Sequence, residues 1–134
     1  MSEILVISSR VEQIDEARRW LAGHAEGALD RESIQEVEIA LTEALSNVIR
    51  HSYEGDPDQT VEISLSIDAD KLTLAVTDRG RGFDPATYVQ PSLDEPAEGG
   101  YGVLLMEQLM DAVCHERSPD GKSTLVLVKD RIPK

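Results

Sequence analysis

Hydrophobic positions change period several times along the chain, and each change marks an element. Residues 4–7 form a short apolar run closed by Ser8 and Ser9, which reads as a strand. From Val11 onward Ile14, Ala17, Trp20, Leu21 and His24 recur at helical spacing to about Ala25, with Ser9 as the expected N-cap. Residues 27–30 break that pattern. A longer helix then starts at Asp30 or Ser33 and runs to His51, with Val37, Leu41, Ala44, Leu45 and Val48 on one face. Gly55 and Pro57 close it in a loop over 52–58. Val61, Ile63, Leu65 and Ile67 next alternate with polar neighbours, as do Leu72, Leu74 and Val76 after a turn at 68–71. This period of two predicts a hairpin with one face on a core.

Residues 84–98 carry three prolines and several acids without periodicity. A structureless stretch of ~15 residues is unusual in a compact domain and is commonly functional or disordered. Gly99, Gly100 and Gly102 then open a third helix carrying Val103, Leu105, Met106, Leu109, Met110 and Val113. A last hairpin follows, with one strand near 113–117, a Pro119-Asp120-Gly121 turn and a strand over 123–128. The order of elements predicts an α/β (α+β) two-layer sandwich: a mostly antiparallel mixed sheet covered on one face by three helices, in one domain spanning 1–134.

Against that framework one helical stripe stands out. Counting by four, Glu43, Asn47 and His51 share a line beside the apolar face, with Arg50 next to them. Asparagine competes with the backbone for hydrogen bonds, so helix propensity does not explain its place in mid-helix. A carboxylate, an amide and an imidazole there could hold a metal ion, a polar ligand or only water.

Charge narrows the partners. Twenty-six acidic against thirteen basic residues give a formal charge of −13. That field disfavours direct contact with nucleic acid or anionic membrane and favours a basic protein surface. An anionic small ligand would need a glycine nest, a helix terminus or a cation to approach. The single Cys114 excludes an internal disulfide and a cysteine metal site, and reads as a small core or strand residue. No apolar run approaches the ~20 residues of a membrane span. The opening Met-Ser-Glu-Ile-Leu lacks a basic signal start, so a cytoplasmic protein is expected. His115 reads as a surface residue of its strand.

Three further clusters bear on chemistry. Asp78, at a predicted strand end, precedes Gly80 and Gly82. Such a carboxylate can accept a hydrogen bond from an exocyclic amine while glycines let the backbone approach a flat ligand, although turns use the same residues. Gly99, Gly100 and Gly102 at a helix start suit an anion, or a loop hinge, but match neither the P-loop nor the dinucleotide spacing. The run Asp120-Gly121-Lys122-Ser123-Thr124 by itself reads as an ordinary turn.

In this order the clusters resemble the GHKL ATPase superfamily and its Bergerat ATP-binding fold. Residues 43–51 are similar to its N box, 78–83 to its first glycine box, 84–98 to its ATP lid and 99–104 to its second glycine box. Gly121 to Thr124 is similar to the closing Gly-x-x-Thr element. Within the superfamily the form Glu-Ala-Leu-x-Asn-x-x-x-His resembles the anti-sigma factor serine/threonine kinases of bacterial partner switching. The resemblance implies Mg²⁺ coordination by Asn47 and a general-base role for Glu43. It also implies an adenine contact at Asp78, a pocket shaped by Gly80 and Gly82, and phosphate contacts at Gly100 and Gly102. His51 matches a family position near the nucleotide, Arg50 is placed to bring a cation to the phosphates, and Thr124, closing the Gly-x-x-Thr element, is an expected nucleotide contact. ATP and Mg²⁺ are the implied cofactors. A STAS-type anti-anti-sigma protein and a sigma factor or similar output protein are the implied partners, acting on a homodimer. The alternative is a switch that binds nucleotide and partner without transferring phosphate. The lid shows no obvious phosphate-binding cation, which leaves Arg79 and Arg81 to supply one or to face solvent.

Overall fold

A computed structural model of the chain describes residues 2–80 and 100–131. The strands are β1 (Ser2–Ser8), β2 (Thr60–Ile67), β3 (Lys71–Asp78), β4 (Ala112–Arg117) and β5 (Ser123–Asp130), and the helices are α1 (Val11–Ala25), α2 (Arg31–Asn47) and α3 (Gly100–Leu109). The strands form one sheet in the order β1-β2-β3-β5-β4. Every pairing is antiparallel, so the parallel component expected of a mixed sheet is absent among the described residues.

Alternation builds the core. Val61, Ile63 and Leu65 of β2, Leu72, Leu74 and Val76 of β3, and Leu125 and Leu127 of β5 point to one face and are buried. Ala17 and Leu21 of α1, Val37, Ala40, Leu41, Ala44 and Leu45 of α2, and Met106 of α3 pack against them. A cluster of this kind stabilises by removing apolar area from water, at about 25 cal/mol per Å². α2 is the middle helix, in contact with both α1 and α3. Its start follows the expected chemistry: Asp30 is the N-cap and its carboxylate accepts from the Ser33 N–H at 2.9 Å.

Three local expectations are corrected. Ser9 does not cap α1; the N-cap is Arg10, without a side-chain bond. The Ser9 hydroxyl instead donates to the Asp56 carbonyl at 2.6 Å and accepts from the Gln59 N–H at 3.0 Å, which ties the end of β1 to the loop before β2. Val113 belongs to β4, not to the third helix, because Asp111 N–H already bonds the Val128 carbonyl at 2.8 Å and starts the strand pairing. Cys114 is a strand residue, one of the two places expected of it, and is exposed on β4.

The third correction concerns the helix that carries the stripe. α2 ends at Asn47, and Val48–Ser52 form a π-helical turn. The Tyr53 N–H bonds the Val48 carbonyl at 2.9 Å, five residues back. Wider winding beyond Asn47 takes His51 off the line on which Glu43 and Asn47 remain.

Candidate active site

At one end of its helix-covered face the sheet exchanges hydrophobic residues for polar ones without changing parity. Asp78 pairs with Ser123 and Ser123 with Arg117, one row beyond Val76, Leu125 and His115. A narrow cleft of about 10 Å³, room for roughly one water, is lined there by Ala44, Asn47, Val48, Val76, Asp78, His115, Ser123 and Leu125. The polar end of the sheet thus meets the C-terminal turn of α2.

Asn47 is 1 % exposed, and neither its amide oxygen nor its amide nitrogen has a hydrogen-bond partner among the described residues. Leaving a buried polar group unsatisfied costs about 1–3 kcal/mol, so such a group signals a ligand or an ordered water. Asp78, 4 % exposed, is held on one oxygen among the described residues. Its Oδ1 accepts from the Ser52 hydroxyl and from the Gly80 N–H at 3.0 Å. Tyr53 reinforces the same junction: its hydroxyl accepts from the Arg79 N–H at 2.9 Å and donates to the Thr60 carbonyl at 2.6 Å. Burial pushes the Tyr53 phenol up, the Arg79 N–H pulls it down, and the Asp78 charge adds to the rise.

The other anticipated residues take different places. Glu43 is half-buried one turn before Asn47 and lines a separate groove between α1 and α2 with Val11, Ile14, Arg18, Ile39 and Ser46. Arg50 is exposed and His51 half-buried in the π-helical turn, and neither lines the cleft. Gly80 has no room for a side chain, because a Cβ would run into the carbonyl and hydroxyl of Ser52 and the Tyr53 ring. Its smallness therefore serves the junction with the π-helical turn. Gly100 and Gly102 open α3, while Gly82, Arg81 and the 84–98 segment lie outside the described residues. Arg79 is exposed, and its charge helps hold the Asp120 carboxyl low behind the larger effects of the Ser118 hydroxyl and the Lys122 N–H.

Thr124 points to the opposite face of β5, where its hydroxyl meets that of Thr77 at 3.1 Å. Ser123, its neighbour, is buried and lines the cleft. His115 is also a wall of the cleft and half-buried, not a surface residue. Sequence reasoning missed Ser52, Ser123 and His115. The parity of β5, with Leu125 and Leu127 buried, is the signal that assigns Ser123 to the inner face.

Across residues 7–129 the chain matches the family described as histidine kinase-like ATPase domain. It belongs to that family. A serine-protein kinase RsbW of Listeria innocua is 34 % identical over 118 residues, covering 81 % of this chain and 75 % of the relative. RsbW of Bacillus subtilis is 37 % identical over 90 residues, 61 % of this chain and 56 % of its own. An anti-sigma F factor of Clostridium beijerinckii is 34 % identical over 107 residues, covering 75 % and 72 %. Among solved structures, the histidine kinase domain of the Erythrobacter litoralis EL346 blue-light activated histidine kinase superposes with a TM-score of 0.56 at 16 % identity, covering 93 % of this chain and 62 % of that one. At that identity the likeness shows the fold alone.

Membership of the histidine kinase-like ATPase family implies nucleotide use, and the polar groups that line the narrow cleft suit it. A carboxylate with one oxygen uncommitted among the described residues, as at Asp78, matches an exocyclic amine. Among the described residues there is no cluster of three or more His, Cys, Asp or Glu side chains able to cage a metal. The unpartnered oxygen of Asn47 fits Mg²⁺ that arrives with a nucleotide, since Mg²⁺ commonly takes one or two protein oxygens and completes its shell with phosphate and water. No helix of the described residues is long and apolar enough to cross a membrane.

Proposed function

We propose that this chain is an ATP-dependent serine/threonine kinase that phosphorylates a small STAS-type antagonist protein and sequesters a sigma factor or similar output protein. The observation that carries the reading is the buried, unpartnered amide of Asn47 in the same cleft as Asp78. Relatives named serine-protein kinase and anti-sigma factor supply the class of reaction and partner. In this reading Asp78 accepts the adenine amine, Asn47 holds Mg²⁺, and the free N–H groups of α3 at Gly100 and Gly102 meet the phosphates. Bound Mg²⁺ supplies charge neutralisation on the transferred phosphoryl group. Glu43 accepts the proton of the incoming hydroxyl. The chain works as one module in the cytoplasm, and its charge of −13 suits basic partner surfaces. Self-association into a homodimer is supported by the open face of the sheet, where Ile4 and Val6 of the edge strand are 64 % and 57 % exposed.

One observation favours a second reading, a switch that binds nucleotide without transferring phosphate. Glu43 lines the α1–α2 groove and not the Asn47–Asp78 cleft. Incubation with γ-labelled Mg-ATP and a STAS-type domain from the source cell separates the two. Label on a Ser or Thr of that domain supports the kinase. Nucleotide binding without label supports the switch.

A further inference from the structure

We infer that Ser52 is a positioning residue that sets the base preference of the nucleotide site, by fixing the rotation of the Asp78 carboxylate and so the direction in which its second oxygen meets the ligand. The inference rests on the reading of the Asn47–Asp78 cleft as the nucleotide site. Ser52 ends the π-helical turn, is 3 % exposed, and donates its hydroxyl hydrogen to Asp78 Oδ1. The Gly80 N–H donates to the same oxygen at 3.0 Å. Both bonds fall on Oδ1, so Oδ2 is left as the acceptor that the chain does not use among the described residues.

The wider winding of the π-helical turn matters here, because two successive residues both face inward. Ser52 reaches Asp78, and Tyr53 reaches the Arg79 N–H and the Thr60 carbonyl. Tyr53 therefore fixes the backbone on which the carboxylate stands, and Ser52 fixes the rotation of the carboxylate itself. Without the hydroxyl, one backbone N–H would remain to oppose rotation about the terminal torsion, which is intrinsically broad. Gly80 allows this arrangement by bringing its backbone against Ser52, where no Cβ fits.

Orientation decides between purines. Adenine presents an amine donor where guanine presents a carbonyl acceptor. An acceptor oxygen held in place bonds the first and opposes the second. A site built to hydrogen-bond one group strongly rejects an analogue that lacks it, provided the partner cannot turn away. Loss of the Ser52 hydroxyl frees the carboxylate to turn, weakening ATP and relieving the opposition to GTP.

The test is calorimetric titration of Mg-ATP and Mg-GTP into the wild-type chain, Ser52→Ala and Ser52→Cys, with a thermal melt of each. Cysteine keeps the shape of serine but replaces a strong donor by a weak one. The expected result is a preference for ATP in the wild type that falls at least tenfold in both variants while they remain folded. Should Ser52→Ala not fold, Ser52→Cys carries the comparison. A merely structural role would weaken both nucleotides alike, so an unchanged ATP/GTP ratio in the folded variant overturns the inference and leaves the nucleotide site standing. Failure of the wild type to bind either nucleotide overturns both.

Discussion

Asn47, the last residue of α2, and Asp78, the last residue of β3, line one cleft without bonding to each other. One is satisfied on a single oxygen by Ser52 and Gly80, and the other has no partner among the described residues. A helix end and a strand end have thus been brought together with hydrogen-bonding capacity in reserve. Folding alone gains nothing from such an arrangement, which is why it reads as a place for a ligand.

The unpartnered amide makes an unusual mutational forecast. Asn47→Ala should leave the thermal midpoint unchanged or raised, because it removes a buried polar group that bonds to nothing described. The same change should cost at least tenfold in nucleotide affinity with Mg²⁺ present and little with a chelator. Calorimetry in both conditions, beside a melt, checks it. Equal affinity for wild type and variant in Mg²⁺ would remove the metal role.

Tyr53 should matter to stability more than its place in a loop suggests. Its hydroxyl serves the Arg79 N–H and the Thr60 carbonyl, and the side chain is buried. Tyr53→Phe leaves both groups without that partner and should cost about 1–2 kcal/mol, read as a lower urea midpoint at constant slope. The phenol is also pushed above its ordinary value by burial. A raised folded pKa gives stability that is complete below the unfolded value of ~10 and is lost as pH rises through the folded one. Alkaline destabilisation should therefore be shallower in Tyr53→Phe than in the wild type.

Acid should loosen the β2–β3 turn through Asp68. Its carboxylate accepts from the N–H groups of Asp70 at 2.7 Å and Lys71 at 2.9 Å, and these bonds hold its pKa below 3.8. A depressed folded pKa gives stability that is present above the unfolded value and lost as pH falls through the folded one. Asp68→Asn should lower the thermal midpoint at neutral pH, and the difference from wild type should shrink as pH falls below ~4. A difference that stays constant with pH would show that the charge is immaterial.

Much of this was legible because periodicity survives wherever one face of an element is buried. β2 and β3 alternate cleanly, and the Asp30 cap of α2 is a local signal. The π-helical turn was not legible, since five residues carry no period of their own and Val48 and Ile49 are buried in either winding. Thr124 was named through the likeness of 121–124 to a Gly-x-x-Thr element, and the parity that assigns Ser123 to the inner face is masked because β5 is apolar on both faces, Val126 and Val128 alternating with Leu125 and Leu127. Ser9 escaped because its partners, Asp56 and Gln59, are distant in sequence and become neighbours only when β1 pairs with β2. Asn47 was found because it is a poor helix former in mid-helix, and Asp78 because it is a strand-end carboxylate followed by Gly80 and Gly82.

Glu43 carries the claim that separates a kinase from a binder, and its substitution tests the account most directly. With γ-labelled Mg-ATP and the STAS-type partner, Glu43→Gln should bind ATP as the wild type does and lose at least ~100-fold in the rate of phosphoryl transfer, the scale of general-base catalysis. Transfer at the wild-type rate by that variant would contradict the assignment of Glu43 as the base.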